Sequence, residues 1–137
     1  MKRLLLLIVP FLMLFVGCDK DPYNTERQTI HANEELWKLQ KQFGFTKVRL
    51  TVEIERVWNM QKDGCEDDWG CADISKGAIR VMDIRDMPMS IPWGERLGFQ
   101  NVILQHEVMH FKLEELHVPG EVQDELIHAL QPSMVKP

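Results

Sequence analysis

Apolar residues recur along this chain in two rhythms. Between Val48 and Glu55 they alternate strictly, with Val48, Leu50, Val52 and Ile54 set against Arg49, Thr51, Glu53 and Glu55. Period two predicts a half-buried strand. Ala32 to Phe43 instead carries Leu36, Trp37, Leu39 and Phe43 at roughly helical spacing, with Asn33 as a candidate cap ahead of Glu34 and Glu35, which predicts an amphipathic helix. Gly77 to Ile84 reads as a second, short strand. A loop holding Pro88, Pro92 and Gly94 leads into a long helix from Phe99 to about Leu116, which Val118-Pro119-Gly120 must break, because proline lacks a donor and glycine tolerates positive φ. A last helix is expected from Glu121 to about Leu130. Asn59 to Gly77 is polar, rich in Asp and Gly, and reads as a long loop. The order helix, strand, loop, strand, helix, helix predicts a small α+β domain.

The first residues do not belong to that pattern. Lys2-Arg3 is followed by an apolar run from Leu4 to Val16 and then Gly17-Cys18, the layout of a secretory signal. The run is short for a membrane span, and Pro10 interrupts it. Phe15-Val16-Gly17-Cys18 resembles the lipobox of bacterial lipoproteins, with Phe15 where a Leu-like residue is commoner. That resemblance implies acylation of Cys18, which becomes the mature N-terminus after residues 1–17 are removed. Stable anchoring then follows from several acyl chains at about 0.8 kcal/mol per buried CH₂. Asp19 resembles the inner-membrane retention signal of Gram-negative lipoproteins, which would put the domain in the periplasm. Residues 18–29 carry charge, Pro22 and Asn24 without apolar periodicity and read as a tether, leaving 30–137 as the domain.

The net charge is −5, from 16 Lys and Arg against 21 Asp and Glu, and no basic stripe offers counterion release to a phosphate backbone. Nucleic acid is therefore excluded as an expected partner. Cys65 and Cys71 enclose a five-residue gap in Cys-Glu-Asp-Asp-Trp-Gly-Cys. In an oxidising compartment they are expected to close a short disulfide loop, two free thiols being the alternative. Their spacing does not match a structural zinc knuckle.

The chemistry sits in the long helix, at His106-Glu107-Val108-Met109-His110. Histidines four apart on a helix differ by about 40° in direction and 6 Å in height, so both imidazoles can reach one ion. Glu107, about 100° round from His106, can serve as a general base without being a ligand. Zinc held by neutral imidazoles lowers the pKa of a bound water toward about 7, and the carboxylate can take its proton. Phe99, Val102, Ile103 and Leu113 lie within about 60° of His106, which predicts that the histidines share an apolar face.

With those residues in place, the segment from Val102 to Leu130 resembles the zincin metallopeptidases. The resemblance implies a small zincin-like domain with a short sheet, in which an active-site helix is followed by a second helix. It also implies Zn²⁺ on His106 and His110, catalysis by Glu107, and a peptide or protein substrate paired along an edge strand, for which Gly77 to Ile84 is the candidate. The metzincin form needs Gly and His where Leu113 and Leu116 stand. A hairpin through Leu116 to Gly120 would instead bring a returning helix past His110, with Glu125 at that height. Acidic residues on a following helix complete the site in gluzincins, and Glu125-Leu126-Ile127-His128 resembles a shortened version. Glu125 is the expected third ligand, with His117, Glu121 and His128 as alternatives. His117, His128 and Arg80 are candidate oxyanion donors, and Trp69 or Trp93 could line a cleft. The competing readings are a non-catalytic envelope lipoprotein that binds a protein partner, and a metal-dependent hydrolase of another carbonyl substrate.

Overall fold

The computed structural model describes residues 24–45, 49–62, 65 and 69–131. The signal-like segment, Cys18 and Asp19 lie outside them. Among the described residues, no helix is long and apolar enough to cross a membrane.

The chain runs α1 (Thr25–Phe43), β1 (Thr51–Glu55), α2 (Val57–Lys62), β2 (Gly70–Asp73), β3 (Ala78–Met82), two 3-10 turns (Ile84–Asp86 and Trp93–Glu95), α3 (Arg96–Glu115) and α4 (Gly120–Leu130). This is a small α+β domain in which the helix bearing the His-Glu pair is followed by a second helix. The three strands lie in the order β1-β3-β2, with β1 parallel and β2 antiparallel to β3. Helix α1 covers β1, while α3 packs on α1, β2 and β3. The core between helices and sheet holds Leu36, Leu50, Val52, Ile54, Ile79, Val81, Leu104 and Val108, among others.

Several expectations need correction. The strand at 78–82 is central, not an edge, because β1 and β2 flank it. The edge strand beside α3 is β2, which lies inside the stretch read as loop, as does most of α2. Its four residues are too few and too polar to declare themselves by periodicity. Helix α1 begins at Thr25, inside the stretch read as tether. Asn24, not Asn33, caps it by accepting from the Arg27 amide at 2.9 Å, and Gly44 ends it at φ 74°. Trp37 is 60% exposed rather than packed inward. One step past Leu36, it is rotated about 100° off the buried stripe and lies under the Lys41 amine.

That early start has a cause in a buried polar network. Gln28, Asp83 and Gln100 are all at most 1% exposed. Gln28 donates to Asp83 Oδ1 at 3.1 Å and accepts from the Ile84 amide and from Gln100, each at 3.0 Å. Gln100 also donates to the Met82 carbonyl at 3.0 Å. Arg85 closes on both Asp83 oxygens, at 3.0 and 2.8 Å. The network joins α1, the end of β3 and α3, so residues without apolar signal fix where the active helix lies. Arg96, in the first turn of α3, is also buried and donates to the carbonyls of Ile91, Ile84 and Pro88. Cys65 and Cys71 are joined by a disulfide that ties β2 to the segment after α2.

Burial alone would push the Asp83 carboxyl up, but Arg85, the Arg85 amide and Gln28 outweigh it and hold the group below the usual carboxylate range. A depressed carboxylate contributes stability above its unfolded value of about 3.9, and that contribution is lost as pH falls through the lower folded value. Asp83→Asn should therefore cost about 2 kcal/mol at pH 7. In urea unfolding, the gap between variant and wild type should narrow below about pH 4.

Candidate metal centre

The long helix does not carry its histidines where an amphipathic reading puts them. Counting about 100° per residue from His106, the residues Gln100, Glu107 and Phe111 fall at roughly 100–140°. All three are buried, so the core-facing stripe is centred on Glu107. His106 and His110 sit at its margin, turned toward α4. Both remain largely covered, with side chains 8% and 19% exposed.

The chain reverses immediately after α3. His117 adopts φ 59°, its amide donates to the Glu114 carbonyl at 3.0 Å, and the Val118 amide donates to the Leu113 carbonyl at 2.9 Å. This is a left-handed helix stop at a position glycine more often fills. Pro119 then precedes α4, which returns along α3. The expected hairpin is present, and its register carries one acidic residue to the histidines. That residue is Asp124.

Asp124 Oδ1 lies 3.3 Å from His106 Nε2 and 3.1 Å from His110 Nε2, and the two Nε2 atoms are 3.2 Å apart. Among the described residues, these three form the group able to hold a metal ion. The triangle has a physical meaning. For ligands about 2.0–2.1 Å from a tetrahedral zinc, neighbouring donors are about 3.3 Å apart, which matches all three sides. Two imidazole nitrogens and a carboxylate oxygen also suit zinc chemically. Lone pairs this close repel unless a cation or a proton lies among them. The residues fit a Zn²⁺ ion with three protein ligands, and the Asp124 side chain, 71% exposed, leaves one flank open to solvent.

The orientation of His110 is settled by a residue that the motif does not contain. Gln123 is 4% exposed and donates its amide hydrogens to Glu114 Oε2 at 3.0 Å and to the Val118 carbonyl at 2.9 Å. Its Oε1 must therefore be the atom 2.9 Å from His110 Nδ1. An acceptor there puts the ring proton on Nδ1, which donates to it and frees the Nε2 lone pair for the ion. His106 has no such support among the described residues, where its buried Nδ1 meets no partner. Its ring lies 5.0 Å from that of His110 and 5.6 Å from that of His128, centroid to centroid. Burial first, and then the neighbouring His110, push the His106 pKa down, keeping the ring neutral as a ligand must be.

The other predicted site residues divide clearly. Glu125 and Glu121 are exposed on α4, and neither belongs to the three-residue group. Glu125 directly follows Asp124, a step of about 100° round the helix, so the height along the hairpin suits a carboxylate while the face differs. His117 is exposed in the turn, and the Arg80 guanidinium approaches Cys65 Sγ at 3.9 Å. Of the three oxyanion candidates, His128 alone stacks near a site histidine. Trp69 packs edge-on against Phe99, and Trp93 lies beneath the Arg96 guanidinium. Gln123 was missed because glutamine signals nothing by type. Asp124 was missed because its face depends on where α4 starts.

The arrangement defines a zincin-like HExxH metal site in a small α+β domain, and a His–His–Asp group so placed is that of a metal-dependent hydrolase. Comparison of the chain with protein-family models, with curated proteins and with solved structures finds no match.

Gln123→Leu keeps the volume but removes the acceptor at His110 Nδ1. Zinc affinity, measured by competition with a chelating dye, should fall about 10- to 100-fold, with the fold retained.

Proposed function

We propose that the protein is a zinc-dependent metallopeptidase, a minimal gluzincin-like domain whose acidic ligand is Asp124, tethered to the cell envelope through acylated Cys18. The observation that carries the reading is the triangle of His106 Nε2, His110 Nε2 and Asp124 Oδ1, with sides of 3.1 to 3.3 Å, on a helix that also carries Glu107. A divalent ion held there would polarise a peptide carbonyl and acidify water beside it.

The chain's own groups account for the rest. Glu107 follows the first ligand in sequence and is the base: a carboxylate oxygen takes the proton of the attacking water and returns it to the departing amine. Its burial keeps bulk water from competing for that proton and strengthens its interaction with charge nearby. Gln123 holds His110 in the required tautomer. His128, beside the His106 ring, can offer an N–H to the oxygen that gains charge. The outer side of β2, at the sheet edge beside α3 among the described residues, supplies backbone donors and acceptors for an extended substrate. The lipobox-like residues and the disulfide between Cys65 and Cys71 support an extracytoplasmic location.

One observation favours the non-catalytic alternative, namely the 4% exposure of Glu107. Against it stands the open flank at Asp124, because a structural zinc site is closed by four protein ligands.

Glu107→Gln should retain one equivalent of zinc and lose peptide hydrolysis by at least about 100-fold. Wild-type rates in that variant would remove the catalytic assignment. Asp124→Ala should lose zinc by metal analysis while Glu125→Ala keeps it. The opposite pattern would return the third ligand to Glu125.

A further inference from the structure

The base proposed above lies against a strand that lacks a side chain where one would collide with it. A Cβ built on Gly70 falls 2.7 Å from Glu107 Oε1, 2.7 Å from Ile103 Cγ2 and 3.0 Å from Glu107 Cγ. Ordinary contacts between such atoms begin at about 3.5 Å. The glycine is not there for its backbone, since among the described residues the glycines with positive φ are Gly44 and Gly77. Nor is such crowding general among the glycines, because a Cβ at Gly94, Gly98 or Gly120 would meet nothing within 4 Å. Gly70 is a spatial requirement, of the kind that marks close approach at a strand.

The wall that Gly70 forms is held firmly. Gly70 pairs with Val81 and Cys71 with Arg80, the Met82 amide donates to the Trp69 carbonyl at 3.0 Å, and the disulfide fastens Cys71 to buried Cys65. Opposite it, Glu107 has little room to retreat, since it sits at the centre of the buried stripe of α3. The carboxylate position is thus set by the recess in β2 as much as by the helix.

We propose that Gly70 is a positioning residue for Glu107, its missing side chain forming the recess that fixes the carboxylate relative to the His106–His110–Asp124 group. The proposal rests on the reading of Glu107 as the base. Gly70 is not one of the residues that could hold the ion, so changing it separates placement of the base from construction of the metal site.

The test uses the full chain in detergent, with zinc content, thermal unfolding and hydrolysis of a fluorescence-quenched peptide mixture as readouts, in Gly70→Ala, Glu107→Asp, Glu107→Ala, Glu107→Gln and the doubles of Gly70→Ala with Glu107→Asp and Glu107→Ala. Gly70→Ala should keep its zinc and lose at least tenfold in kcat with KM within about twofold, the scale expected of a reacting group displaced by about 1 Å. The shorter Glu107→Asp side chain should relieve the collision, so that adding Gly70→Ala to it costs less than about threefold. Thermal unfolding gives a reading free of activity. Gly70→Ala should lower the midpoint in the wild-type background and lower it less in Glu107→Ala, where Ile103 Cγ2 alone of the three close atoms still meets the added methyl. Should Gly70→Ala alone fail to fold while its double with Glu107→Ala folds, the same coupling is demonstrated. Equal midpoint losses in both backgrounds would overturn the proposal, as would full kcat in Gly70→Ala while Glu107→Gln is inactive. Wild-type hydrolysis by Glu107→Gln would instead defeat the base reading, and this proposal with it.

Discussion

The site depends on one constraint: two antiparallel helices must hold three lone-pair-bearing atoms within 3.1 to 3.3 Å of one another. Two of those atoms come from α3 at a spacing the helix guarantees. The third comes from α4, and nothing in the geometry of an isolated helix places it. The turn at Leu116–Pro119 does so by ending α3 with a left-handed residue and returning the chain at once. Gln123 then locks the return, because its amide bonds to α3, to the turn and to the ring of His110 together.

Behind α3 the support is of two kinds. Apolar side chains of α1, α3 and the sheet fill the core, and a buried polar network of Gln28, Asp83, Arg85 and Gln100 fixes the position of α3 along the sheet. Apolar packing is tolerant of sliding, whereas a network in which each donor meets a particular acceptor is not. The polar network therefore determines where His106 and His110 stand relative to β2, and the apolar core determines that they stand at all.

Much of this was legible in the sequence, and the failures share a cause. The alternation through Leu50, Val52 and Ile54 marked β1, the turn residues Pro119 and Gly120 marked the hairpin, and His106 and His110 declared themselves by spacing. What escaped was set by tertiary partners. Gln28 carries no apolar signal, yet Asp83 and Gln100 bury it and draw α1 back to Thr25. Strand β2 is four residues long, and its pairing with β3 rather than its own pattern makes it a strand. The core-facing stripe of α3 is centred on Glu107 rather than on the histidines, because that stripe is decided by what lies opposite. Here that is the bare backbone at Gly70. The choice of Asp124 over Glu125 turned on a single residue of helical phase.

Helix α4 buries only Gln123 and Ile127 and leaves Val122, Leu126 and Leu130 exposed, so its own apolar contacts with the rest of the domain are few. Any ion bridging Asp124 to the two histidines adds directly to that attachment. Occupancy and docking of the helix are then linked by mass action: at a free ion concentration one hundred times the dissociation constant, the bound form gains about 2.7 kcal/mol over the empty one. Scarcity of the ion would loosen α4 before it disturbed the sheet, so that the seating of this one helix would follow the metal supply.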